Sequence, residues 1–183
     1  MSQSVNCTND TNMTQSENAD PAAINSLIAA LDSNDGAARH QARIALVEIG
    51  GPAVASLIEA LTDPNDEVRW EAAKALGQIG DPAAAPALVN ALEDENSGVR
   101  WLAAEGLIAL GREGLVPLLR ALEKRSDSGW LRQGAHHVLH DLAGKGLSDL
   151  VSPVLAAMED VEPTVEVPWA ALNALEALEE AAD

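Results

Sequence analysis

The sequence predicts an all-α fold, an α-solenoid of about five helix pairs, and three observations carry that prediction. The order of residue types from Leu61 to Gly80 is an apolar helix end, a polar turn, a second helical stretch and a glycine stop; it returns about every 31 residues. Apolar positions recur at spacings of three and four, and β-branched residues never alternate over a strand-length run. The apolar content, 47% of the chain, is mostly Ala and Leu, with no Phe or Tyr. That composition suits helices packed closely over small side chains.

The copies align closely. Leu92 to Gly111 follows Leu61 to Gly80 without a gap, placing Val99-Arg100-Trp101 on Val68-Arg69-Trp70, and Leu31 to Gly50 fits with Ala38-Arg39-His40 in the same slots. Leu131-Arg132-Gln133 takes the slot after one inserted residue, and Val167-Pro168-Trp169 after several more. The units run over about 20–50, 51–80, 81–111, 112–144 and 145–183. A unit of two short helices cannot bury its own apolar stripes, so the copies must stack and share one core.

Residues 1–19 are rich in Ser, Thr, Asn and Gln, with no apolar period, and are expected to be a disordered polar tail. Its three Asn-x-Thr triplets, at Asn6, Asn9 and Asn12, follow from that composition. Order is expected from Asp20-Pro21, where a carboxylate caps the first amides and proline, at the first helical position, has no N–H to lose. Asp81-Pro82 repeats the device. First helices carry paired apolar positions at Leu27-Ile28-Leu31, Leu57-Ile58-Leu61, Leu88-Val89-Leu92, Leu118-Leu119-Leu122 and Val154-Leu155-Met158. Second helices are expected to be capped by Asp66 and Ser97 and to end at Gly50, Gly80 and Gly111 in a left-handed conformation. Pro168 is expected in the first turn of the last helix, since deeper it would break it. Lys124 to Gly129 and Asp160 to Glu166 read as longer, looser joints.

Charge bounds the partners. The chain has 29 acids against 11 bases, a net charge of −18, and only three lysines, Lys74, Lys124 and Lys145. Its field repels phosphate backbones and anionic membranes, which argues against nucleic acid and membrane surfaces. A basic protein partner is compatible with it, and so is plain solubility in a salty cytoplasm. The single cysteine, Cys7, allows neither an intramolecular disulfide nor a cysteine-built metal site. With no apolar span or secretion signal in the sequence, a cytoplasmic protein is expected, as a monomer or weak oligomer.

The order Leu…Asp-x-x-x-x-Val-Arg-x-x-Ala-Ala-x-Ala-Leu-Gly-x-Ile-Gly-Asp-Pro at Leu61 to Pro82 resembles the HEAT-like repeats of the phycobilisome-lyase type, and the likeness extends over residues 20 to 180. These repeats are mostly protein–protein scaffolds, with a minority of enzymes. The resemblance implies that the Asp before each second helix and the Arg after its first Val pair within and between neighbouring units, involving Asp63 and Asp66 with Arg69, and Asp94 with Arg100. Pro168 replaces the arginine in the last unit, so such a ladder would stop there.

Within a second helix, Val68, Ala72, Leu76 and Ile79 form the buried stripe, and the position of Trp70 faces the other way. In solenoids that side is the concave binding surface. The equivalent positions hold His40, Trp70, Trp101, Gln133 and Trp169, with Trp70 and Trp101 expected to be near neighbours. Glu71, Lys74, Gln78, Leu102, Glu105, His137, Asp141 and Asn173 would flank them, giving an apolar centre with a polar rim. Indoles at exposed positions suit an interface hot spot; the other reading is that they fold over neighbouring units and cap the core. The expected binding set is thus Trp70, Trp101 and Trp169 with His40, Glu71, Lys74, Glu105, Gln133 and His137.

His136-His137-Val138-Leu139-His140-Asp141 places His136 and His140, and His137 and Asp141, one turn apart, the spacing at which side chains can share a divalent metal. The two pairs point in different directions and no further ligand cluster answers them, so no metal or cofactor is expected. None of the four histidines is followed by Glu, unlike the ligand pairs of HEAT-like di-iron hydroxylases. No phosphate loop, nucleophile elbow or triad spacing is present. The expectation is a non-catalytic protein-interaction scaffold that binds a partner on its concave face, the alternative a subunit of a bilin lyase or another HEAT-repeat enzyme.

Overall fold

The computed structural model describes residues 20–180. The expected tail at residues 1–19 and Cys7 lie outside them. Ten α-helices follow in order: α1 (Pro21–Ala30), α2 (Gly36–Ile49), α3 (Val54–Ala60), α4 (Asp66–Ile79), α5 (Ala85–Ala91), α6 (Ser97–Leu110), α7 (Arg112–Arg125), α8 (Gly129–Leu142), α9 (Ser148–Met158) and α10 (Pro163–Glu180). Short 3-10 turns, Gly51–Ala53 and Pro82–Ala84, precede α3 and α5. Among the described residues there is no strand.

Helix starts follow side-chain chemistry, two at the expected positions and two shifted by one residue. Asp20 accepts from the Ala22 amide at 3.0 Å, and Asp81 accepts from Ala83 at 2.9 Å, as Asp-Pro predicts. The caps of α4 and α6 are Asn65 and Asn96, which accept from Glu67 and Gly98 at 3.0 and 2.8 Å. Asp66 and Ser97 are instead the first helical residues. Asparagine wins because its amide also reaches back one unit: Asn65 Nδ2 donates to Asp32 and Asn96 Nδ2 to Asp66, at 2.5 and 2.6 Å. Gly50, Gly80 and Gly111 all take positive φ, but only Gly80 is in the left-handed helical region; the other two have ψ of −133° and −123°.

α2, α4, α6 and α8 pack in series as one row. In the other row α1 packs on α3, α3 on the turn that opens α5, and α5 on α7. Between the rows runs a continuous core in which Leu31, Leu46, Leu57, Leu88, Leu107 and Leu118 are wholly buried, each contributing roughly 1.5–3 kcal/mol. α4 and α6 approach most closely at two glycines, where a Cβ on Gly77 would stand 3.2 Å from the Gly106 Cα.

The fifth pair enters this stack in reverse. α9 packs on α8, where regular repetition would put α10, and α10 packs along α7 and α9. α10 runs antiparallel to α7: Ser126, just past the end of α7, bonds the Thr164 carbonyl at 3.0 Å, and Arg112 at its start bonds the Leu178 carbonyl at 3.3 Å. α7 to α10 therefore close as a four-helix ring on the end of the solenoid. The junction explains the reversal. Earlier second helices stop at a positive-φ glycine, whereas α8 runs on through a wide turn, Ala143–Leu147, and changes direction only at Gly146, φ 92°. That delay of about one helical turn sends α9 back along α8.

Two expectations about joints are corrected. Residues 126–128 and 159–162 are all that separate α7 from α8 and α9 from α10, so those links are tight. Pro168 lies well inside α10, which starts at Pro163. Proline supplies no N–H to the carbonyl four residues back, that of Thr164. The Ser126 hydroxyl takes that acceptor instead, which lets the helix continue.

Each of the four stacked units is closed by one arginine. Arg39, Arg69, Arg100 and Arg132 donate to the carbonyls of Ser33, Asp63, Asp94 and Ser126, six residues earlier. The Asp94 carboxylate pairs between units, with Arg69 of the preceding one at 2.7 and 3.0 Å, while within its own unit Asp94 meets Arg100 through its backbone carbonyl. The Asp94 hydrogen bond raises the already high pKa of Arg69 further. Asp63 likewise meets Arg69 through its carbonyl, its carboxylate accepting from the Asn65 amide at 2.8 Å.

Candidate functional site

The row α2, α4, α6, α8 carries clefts between the second helices of adjacent units, a small one of about 180 Å³ between α4 and α6 and larger ones on either side of it. The one between α6 and α8 has a volume of about 310 Å³. Trp101, on the solvent side of α6, and Trp130, at the start of α8, form walls and remain 57% and 48% exposed. Leu92, Ala104 and Gly134 also line it. A Cβ at Gly134 would stand 2.9 Å from Leu92 Cδ2, so a larger residue there requires the Leu92 side chain to shift.

Both indoles are held in place. The His137 ring stacks on Trp101 with centroids 4.7 Å apart and planes 23° from parallel. His137 Nε2 in turn lies 3.1 Å from a Glu105 oxygen, one turn along α6 from Trp101. The Arg100 guanidinium sits 4.7 Å over the Trp130 ring while donating to the Asp94 and Glu95 carbonyls at 2.7 and 3.1 Å. The site thus has apolar walls, a cation fixed on one side and a carboxylate with an imidazole on the other.

The cleft between α2 and α4, about 410 Å³, is more polar. Lys74 Nζ lies 4.6 Å over the Trp70 ring. Arg43 spans the interface, donating to Glu71 at 2.8 Å, contacting His40 Nδ1 at 2.7 Å and bonding Gln78. Trp70 is half-buried against the core and lies on Gly98, whose Cβ would come within 3.1 Å of the ring. For Trp70 the reading of an indole folded over the next unit is the one realised.

The expected binding residues therefore divide. His40, Trp70, Glu71 and Lys74 line the α2–α4 cleft, and Trp101, Gln133 and His137 line the α6–α8 cleft. Glu105 joins the second set through His137. Glu71 is not a rim residue: it is buried, because Arg43 is buried opposite it and needs a counter-charge. Trp169 belongs to neither cleft, since α10 packs along α7 and α9. Trp130 is the residue that sequence reasoning missed. One inserted residue before α8 shifts it to the slot of Glu67 and Gly98, next to a cap, although an unpartnered indole there was itself a signal.

The histidine stretch also splits. His136 and His140 stack on each other with ring centroids 6.3 Å apart, His137 turns to Trp101 and Glu105, and Asp141 pairs with Lys145 at 2.7 Å. Among the described residues no three His, Cys, Asp or Glu side chains gather as a metal site, and no single helix is long and apolar enough to cross a membrane.

Residues 54–140 match the family model of HEAT repeats. No protein of curated function matches the sequence. Among solved structures, the chain is similar to one from the complex of CpcE and CpcF of phycocyanin lyase from Nostoc sp. PCC7120, with 27% identity, 84% of this chain and 98% of that chain covered, and a TM-score of 0.55. It is also similar to an engineered protein, with 22% identity, 86% and 79% of the two chains covered, and a TM-score of 0.40.

Proposed function

We propose that this HEAT-like repeat protein is a non-catalytic docking module that receives a protein segment along the row α2, α4, α6 and α8, with the α6–α8 cleft as its anchor. The supporting observation is that Trp101 and Trp130 stand exposed on one cleft while His137 and Arg100 hold their rings. A side chain entering between them meets rings that are already ordered, so little entropy is lost on binding. Covering the exposed half of each indole is worth roughly 2 kcal/mol. The net charge of −18 favours a basic partner.

The test is capture of a partner from the native cell with the wild-type chain and with Trp101→Ala/Trp130→Ala, followed by calorimetry on the isolated pair. We expect the double variant to weaken binding by about 30-fold or more with helicity and melting temperature unchanged. Undiminished binding, or loss of the fold, would count against the proposal.

A second reading is supported by the likeness to a chain of the phycocyanin lyase complex, 98% of which is covered. In it the chain is a subunit of a bilin lyase and the same cleft takes an aromatic ligand. Mixing with a linear tetrapyrrole should then shift its absorbance in the wild type and not in Trp101→Ala/Trp130→Ala. An unshifted spectrum removes this reading.

A further inference from the structure

The reversed fifth pair gives Trp169 surroundings of its own. Trp169 is 65% exposed, Val165 one turn before it 49%, and Val161, in the loop that leads into α10, 95%. Val165 and Trp169 share one face of α10, and Val161 continues the spacing of four. Acids surround the three: Glu159, Asp160, Glu162 and Glu166 are all exposed. Asp127 is close by, because its neighbour Ser126 bonds the Thr164 carbonyl. Among the described residues none of these five carboxylates pairs with a lysine or arginine.

We propose that this corner, where α9 turns into α10, docks a basic amphipathic segment of another protein, its aliphatic side chains covering Val165 and Trp169 and its lysines or arginines meeting the surrounding carboxylates. Charge selects this occupant. A second copy brings another net −18, and its Arg39, Arg43, Arg69, Arg125 and Lys145 are already engaged with its own acids. Anionic lipid is repelled by the same carboxylates. A partner must supply both the apolar surface and the cations. The surface is separate from the clefts of the row α2, α4, α6 and α8, so it stands or falls independently of them.

The probe is a synthetic amphipathic helical peptide of leucine and lysine, titrated into the full chain by calorimetry at low and high salt. Binding should weaken about tenfold in Trp169→Ala, and similarly in Glu162→Gln/Glu166→Gln and at high salt. Trp101→Ala/Trp130→Ala should bind like the wild type, and a peptide with glutamine for lysine should not bind. All substituted side chains are exposed, and circular dichroism verifies that each variant folds. The proposal is overturned if the wild type does not bind the peptide, if Trp169→Ala binds it equally well, or if sedimentation shows that the face instead joins two copies of the chain in a dimer that Trp169→Ala dissolves.

Discussion

The hydroxyl of Ser126 donates to the carbonyl of Thr164 at 3.0 Å, filling the acceptor that Pro168 leaves without its helical donor. One hydrogen bond thus makes an internal proline tolerable and fixes the start of α10 against the end of α7. Ser126→Ala should cost about 1 kcal/mol in chemical denaturation. In a Pro168→Ala background, where the helix supplies its own N–H, the same substitution should cost clearly less. Equal costs in the two backgrounds would show that the bond and the proline are unrelated.

The Arg43–Glu71 pair, 2.8 Å apart with both side chains buried, ties α2 to α4. Glu71→Ala leaves a buried guanidinium without its carboxylate and should destabilise the protein by about 3 kcal/mol. Arg39–Glu67 joins the same two helices at 3.1 Å, but Glu67 is exposed, and Glu67→Ala should cost less than about 1 kcal/mol. Thermal melts of the two variants, compared side by side, test the contrast.

Asn96→Ala should lower stability by about 1 kcal/mol or more, because the side chain caps α6 and also bonds Asp66 of the preceding unit. Ser97→Ala should change little. The opposite order in a denaturant titration would return the cap to the serine.

Gly114→Ala should destabilise by about 1–3 kcal/mol although alanine is the better helix former. The added Cβ would stand 2.6 Å from the Leu107 carbonyl oxygen, at the tight junction of α6 and α7. Gly129→Ala meets open space and serves as the control. Calorimetric melting of both variants decides it.

Much of this molecule is legible in its residues. The spacing of Leu57, Leu61, Val68, Ala72 and Leu76 determines two amphipathic helices per unit, and the identical spacing at Leu88, Leu92, Val99, Ala103 and Leu107 requires that neighbours cover one another. Asp20-Pro21 and Asp81-Pro82 mark their starts, and Gly50, Gly80 and Gly111 their positive-φ ends, because each of these signals acts within one helical turn. The tertiary structure alone decided which neighbour covers which stripe. It placed α10 on α7, buried Glu71 against Arg43, folded Trp70 over Gly98 and brought Trp130 opposite Trp101. Those outcomes depend on a delayed reversal at Gly146 and on contacts between residues 28 or more positions apart, distances over which a local period carries no information about direction.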